Sequence, residues 1–197
     1  MSEPRAYHHG NLRSALLERA ERTVRERGVH ALSLRELARD AGVSHGAPRR
    51  HFPDREALLD AVAESGFERL ARELGAAVGE AGPGAEMQLQ AIAHAYVGFA
   101  TRDAALLELM FAAKHRDGAE HVLAQADRSL AIALAVVANA QVTGELVGGD
   151  AQQITQFVFA TVHGLATMAN GGMLGDDDLG AMVTDAIEQL LSGLRPR

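Results

Sequence analysis

The chain has 197 residues, 47% hydrophobic and 23% charged, with a formal net charge of −7, ordinary globular usage that excludes disorder and suits one large helical domain or a small head with a larger body. Cys is absent, which excludes disulfides and thiolate metal sites and fits a reducing compartment. The opening residues do not read as a signal peptide and no uncharged run reaches bilayer length, so a cytoplasmic protein with no membrane partner is expected.

In chain order, Leu12, Leu16, Leu17, Ala20 and Val24 predict a helix from Asn11 to Arg27, ended by Gly28 with Val29 set against Val24 in a Schellman-type stop. A second helix starts at Ser33. Ser33 and Glu36 have capping-box spacing, Leu32 can staple to Leu37, and Leu34, Leu37, Ala38 and Ala41 form the apolar face. Gly42 ends it, with Val43 placed to pack on Ala38. After this glycine-containing turn, Ser44 is expected to cap a short third helix on which Pro48 and Phe52, four apart, face the core. His45, Gly46, Arg49 and Arg50 are then left outside. Two capped helices joined by a Gly-Val turn, the second carrying consecutive arginines, read as a DNA-binding helix-turn-helix, because an exposed arginine face can meet phosphates and guanine edges.

Charge follows the same division. Residues 1 to 55 hold eleven arginines against seven acidic residues, and the remainder has eight basic against nineteen acidic. A polyanion should therefore meet the first quarter of the chain, since the local field governs counterion release.

A fourth helix starts with Asp54 as N-cap and Glu56 in its first turn, carries Leu58, Leu59, Val62, Phe67, Leu70 and Leu74, and weakens at Gly75 and Gly79. Residues 80 to 84, with Gly82, Pro83 and Gly84, form a loop. Helices follow over about 85–101, 103–111 and 119–141, with a polar interruption at 114–118. The apolar stretch from Leu130 to Val142 reads as a buried helix. Two more span about 150–168 and 178–194, separated by Gly171, Gly172, Gly175 and the run Asp176 to Asp178. The fold class is all-α, an N-terminal three-helix DNA-binding head followed by a helical-bundle body, divided as 8–54 head, 55–80 linking helix and 81–197 ligand-binding and dimerisation domain.

The last two helices carry wide apolar stripes, Ile154, Phe157, Val158, Thr161, Val162 and Leu165 on one and Met182, Val183, Ala186, Ile187, Leu190 and Leu191 on the other. They either complete a monomeric core or build a four-helix bundle across a two-fold axis. The helix-turn-helix favours the second, because dimers gain specificity by reading paired half-sites. Phe157, Val158, Thr161, Val162, Leu165, Met182, Val183, Ile187 and Leu190 are the candidate dimer interface. Tyr96, Phe99, Met110, Phe111, Phe159, His163 and Met168 are candidates for an apolar effector pocket, with Met173 and His94 beside them, although such spacing is more often plain core. No metal ligand set, phosphate-cradling glycine loop or nucleophile motif is found, so neither an enzyme nor a cofactor is expected.

These residues bring out a family likeness. Through Ser33-Leu-Arg-Glu-Leu-Ala38, Ala41-Gly-Val-Ser44, Arg50-His-Phe52 and Asp54-Arg-Glu-Ala-Leu-Leu59, the chain resembles the TetR family of bacterial transcriptional regulators. The opening Tyr7-His-His-Gly-Asn-Leu-Arg13 is similar to a subgroup marked by Trp-His-Gly in its C-terminal domain; Val162-His163-Gly164 stands at the comparable place here. Arg49 departs from the usual tyrosine, and Arg55 stands where lysine is common. The resemblance implies base or groove contacts by His45, Ala47, Arg49 and Arg50 beside Gly46. It implies phosphate contacts or helix positioning by Ser33, Ser44, His51 and Arg55. It also implies a homodimer on a pseudo-palindromic operator in double-stranded DNA, most often a repressor, released by a small-molecule effector. The alternative is a helix-turn-helix regulator without small-molecule control.

Overall fold

The computed structural model describes residues 12–174 and 178–195, and within them all regular structure is helical. Asn11, the Tyr7-to-Asn11 part of the opening motif, Gly175, Asp176 and Asp177 lie outside the described residues. Among the described residues, eight α-helices run in the order α1 Leu12–Arg27, α2 Leu34–Asp40, α3 Arg55–Glu80, α4 Ala85–Arg102, α5 Ala104–Ala113, α6 Glu120–Thr143, α7 Ala151–Asn170 and α8 Leu179–Ser192.

Local chemistry explains the ends. Gly28, at φ 78°, donates its N–H to Val24 O at 2.9 Å, so α1 stops in the simpler αL motif rather than the expected Schellman one, and a 3₁₀ turn over Val29–Ala31 follows. The Schellman geometry belongs to α2. Gly42, at φ 69°, donates to Arg39 O at 3.1 Å and Val43 to Ala38 O at 3.0 Å, the crossed pair that satisfies the last carbonyls. At the start of α2, Ser33 Oγ accepts the Glu36 N–H at 3.1 Å. The Glu36 carboxylate turns toward Arg39 and Arg27, 3.9 and 4.0 Å away. Asp54, Asp150 and Asp178 likewise accept first-turn N–H groups of α3, α7 and α8.

The third expected helix is different. Its only regular turn is 3₁₀, Pro48–Arg50, because Pro48 has no N–H for the Ser44 carbonyl and its ring would crowd that carbonyl in an α-helix. Gly46 adds the backbone entropy cost of an unhindered residue. Shorter rings predominate: Ala47 N–H donates to Ser44 O at 2.9 Å, Arg50 to Ala47 O at 3.3 Å and His51 to Pro48 O at 2.9 Å, with one α-type bond, from Phe52 N–H to the same Pro48 O at 2.9 Å. Pro48 and Phe52 are buried as the spacing predicts.

Two compact units result, one of residues 1–66 with 105–122 and the other of 67–104 with 123–197. The boundary therefore falls inside α3, and α5 belongs with the head; the division differs from one drawn at 54 and 80, since a helix end seen in sequence need not be a packing boundary. In the first unit α1 packs on α2 and on the 29–31 turn, and α2 on the 48–50 turn. Its buried side chains include Leu16, Leu37, Phe52, Leu58, Val62, Leu106 and Met110. Arg116 ion-pairs with Asp60, tying the 114–118 segment to α3 within this unit.

In the second unit α4 is the central helix, packed on both α7 and α8. Gly84 offers α4 no capping side chain; the Glu145 carboxylate substitutes, accepting the Ala85 N–H at 2.8 Å. That bond, with the Thr143 hydroxyl, holds the Glu145 carboxyl below its ordinary range. By length and composition α6 is apolar enough to cross a membrane, with a third of its most apolar window buried. The Leu130-to-Val142 stretch is buried on one side only, through Ala133, Val136, Val137 and Ala140, while Ala131, Ala135 and Val142 are exposed. Alanine tolerates either environment, so apolar content alone overstated its burial.

Candidate nucleic-acid interface

The 3₁₀ turn Pro48–Arg50 sits in the middle of the basic segment. His45, Gly46, Arg49 and Arg50 are exposed, and Ala47 and His51 are half-buried. A groove of about 340 Å³ opens between Leu12 at the start of α1, the Gly42-to-Ser44 turn, and Ala47, Arg50 and His51. The two arginines, expected on one face, thus part company: Arg50 lines the groove and Arg49 does not.

The platform beneath is apolar. Phe52 is 2% exposed, and the Arg13 guanidinium lies 5.5 Å from its ring centre, a cation–π contact joining α1 to the segment. The exposed Arg55 side chain donates from Nε to Leu32 O at 3.1 Å and from Nη2 to Val29 O at 2.8 Å. It thereby fixes the start of α3 to the 29–32 turn, a positioning role that sequence spacing did not show because the partners are carbonyls 23 and 26 residues away. Ser33 acts through its cap on α2, and Ser44 accepts the Ala47 N–H on its carbonyl oxygen. Leu12, Gly42 and Val43, which help shape the groove, were legible only as core or turn residues.

In the second unit, three of the seven pocket candidates come together. Tyr96 Oη lies 2.8 Å from His163 Nδ1, Phe159 meets Tyr96 edge-on at 5.6 Å between ring centres, and Phe159 stacks on His163 at 5.4 Å. Tyr96 is 3% exposed; burial pushes its phenol above the ordinary range, so it keeps its proton. The other four do not join this cluster. Phe99 is covered by the Arg69 and Arg102 guanidinium groups at 5.0 and 5.7 Å from its ring centre, and Met168 is 41% exposed. Met110 and Phe111 belong to the first unit, where Lys114 sits over the Phe111 ring. His94 bonds Thr184 at 2.9 Å, and Met173 is exposed.

The nine interface candidates separate in the same way. Val158, Val162, Val183 and Ile187 are buried within the single chain, on helices that pack against α4. Phe157 is exposed, and Thr161, Leu165, Met182 and Leu190 are half-buried or exposed. Phe157, Thr161, Leu165 and Met168 follow one stripe of α7, and Met182, Ala186 and Leu190 one stripe of α8. Each helix is thus apolar on two adjacent stripes, of which its own chain covers one fully and the other in part.

Comparison with known proteins places this geometry. Residues 16–62 match the family model described as bacterial regulatory proteins, tetR family. Residues 89–194 match that of the tetracyclin repressor-like C-terminal domain. Among curated proteins, nothing matches the chain. A solved structure of a protein with unknown function from Rhodococcus sp. RHA1 is 47% identical, covers 98% of this chain and 100% of its own, and superposes with a TM-score of 0.92. A putative TetR-family transcriptional regulator from Rhodococcus sp. is 22% identical over 92% of this chain and 99% of its own, with a TM-score of 0.72. The TetR family regulator PfmR from Thermus thermophilus is 18% identical with the same coverages and a TM-score of 0.69. The last two share the fold.

Proposed function

Because the chain belongs to the tetR family of bacterial regulatory proteins, whose members are DNA-binding transcriptional regulators and not enzymes, we propose that it is a cytoplasmic repressor. In this reading it binds a pseudo-palindromic operator as a homodimer, with the heads one DNA turn or a multiple apart, and is released by a small apolar effector. The observation that carries it is the basic segment, exposed His45, Arg49 and Arg50 with half-buried His51, held on a buried Pro48–Phe52 platform. Base or groove contacts come from His45, Gly46, Ala47, Arg49 and Arg50. Ser33, Ser44, His51 and Arg55 contact phosphates or hold the helices, Arg55 with the donors its two carbonyl bonds leave over.

The second copy docks on the incompletely covered stripes of α7 and α8, through Phe157, Thr161, Leu165, Met182 and Leu190. The effector meets the Tyr96–Phe159–His163 cluster, where aromatic surface and a buried hydroxyl coincide. A regulator without small-molecule control is the second reading, favoured by the way Tyr96, His163 and Phe159 satisfy one another.

Fluorescence anisotropy on the DNA upstream of the protein's own gene, at two salt concentrations with random DNA as competitor, tests the operator reading. Tight, salt-sensitive binding that survives the competitor supports it, and binding no better than to random DNA counts against it. Sedimentation equilibrium reports the dimer. Thermal stabilisation by an apolar compound that also weakens operator binding, reciprocal by linkage, separates the controlled from the uncontrolled regulator.

A further inference from the structure

Resting on the DNA-binding reading above, we infer that the two adjacent arginines divide the work of recognition: Arg50 clamps the sugar–phosphate backbone in the head groove, and of the two it is Arg49 that reads base edges. On an α-helical segment, neighbouring residues 100° apart would share a broad outer face and both could enter a groove of DNA. Here the groove separates the two: Arg50 lines it and Arg49 does not. Ser44, Ala47 and Arg50 line the groove together with His51.

The occupant follows from charge and shape. The groove offers a guanidinium, an imidazole and the Ser44 residue, all donors suited to a phosphodiester oxygen, and lies within the arginine-rich first quarter of the chain. Its Leu12 and Val43 walls are apolar and suit the edge of a deoxyribose. Arg49 lies outside it and is exposed, and at the exposed Gly46 a Cβ would meet no atom within 4 Å. That open space lets a base pair approach the segment closely, with a planar guanidinium beside it to span two guanine acceptors. A backbone clamp supplies affinity without sequence information, and a bidentate base contact supplies discrimination.

The test uses the full-length protein and a duplex enriched by the wild type from a randomised library, with an unselected duplex of equal length as reference. Binding of wild type, Arg49→Ala, Arg50→Ala and Arg50→Lys is measured by anisotropy across a salt series. Arg50→Ala is expected to weaken both duplexes by the same factor and to make the log–log salt slope shallower by about 1 per head, while Arg50→Lys keeps the slope. Arg49→Ala is expected to weaken the enriched duplex by roughly ten- to a hundredfold, with the unselected duplex and the salt slope little changed. Equal behaviour of the two alanine variants, or loss of discrimination on Arg50→Ala, overturns the division of labour. Failure of the wild type to enrich any duplex overturns the DNA-binding reading itself. All the side chains changed are exposed, and circular dichroism of each variant verifies that it is folded.

Discussion

Arginine plays opposite parts in the two units. In the second unit, Arg69 and Arg102 converge on the Asp103 carboxylate at 3.0 and 3.1 Å, Arg102 also holds Glu73 at 2.9 Å, and both guanidinium groups cover the Phe99 ring. The Asp103 side chain is fully buried. Glu73 and Asp103 together raise the Arg102 guanidinium further above its ordinary value. In the recognition segment Arg49 and Arg50 stand on a three-residue turn, exposed and carried by two apolar anchors. A charge compensated inside the protein organises packing; a charge meant for a partner must stay near water until the partner replaces that water. On the proposed function, the head places its binding groups on its least regular element and leaves its helices to support them.

Removing the apolar anchor breaks the head side of this comparison most severely. Phe52→Ala should cost about 3 to 5 kcal/mol, the range for truncating a buried phenylalanine, and abolish operator binding along with stability; urea unfolding and anisotropy measure both. Unchanged stability would mean that the segment does not depend on its platform. The body side breaks next. Asp103→Ala leaves two guanidinium groups around an emptied site and should cost about 3 kcal/mol, the lower end for a buried pair that loses one partner, because Arg102 remains half in water. Operator affinity measured well below the melting temperature should persist, which would distinguish an internal charge from a contacting one.

Smaller perturbations sharpen the contrast. Ser33→Ala removes the oxygen that accepts the Glu36 N–H and should cost about 1 kcal/mol, read as a shift in the urea midpoint. If Ser33 also touches phosphate, the operator affinity of this variant should fall by more than the folded fraction does. The smallest effect belongs to Glu145→Gln. The Glu145 carboxyl is depressed in the folded chain by the Ala85 N–H and the Thr143 hydroxyl, so its stabilisation is present above the ordinary carboxylate value of 4.5 and lost as pH falls through the folded value. The Glu145→Gln variant should therefore melt slightly below wild type at neutral pH, and the difference should vanish in acid. Melts at several pH values check the sign.

Much of this was legible in sequence wherever partners lie close along the chain. The Ser33 and Asp54 caps, the Gly28 and Gly42 stops, the buried Pro48 and Phe52, and most of the helix order depend on bonds spanning a few residues. The family was legible too, through motifs confined to such local segments. The recognition turn shows the limit of local reading. Pro48 and Gly46 were visible, yet the helical spacing of Pro48 and Phe52 outweighed them, because both helix and 3₁₀ turn bury those two side chains and only the hydrogen-bond pattern differs.

By itself, then, the sequence determined the class of fold, the helix-turn-helix, the asymmetry of charge and membership of a regulator family, all of which follow from short-range periodicity, capping and composition. Tertiary structure alone decided that Arg50 lines a groove while Arg49 stays outside, and that Arg55 holds carbonyls of the 29–32 turn. It alone decided that Tyr96, Phe159 and His163 meet while Met110 and Phe111 belong elsewhere, and which apolar stripe of α7 and α8 its own chain covers. Periodicity shows that a side chain is apolar and on a given face, but the identity of its neighbour depends on which helices close together across tens of residues, and that is a property of packing rather than of any local pattern.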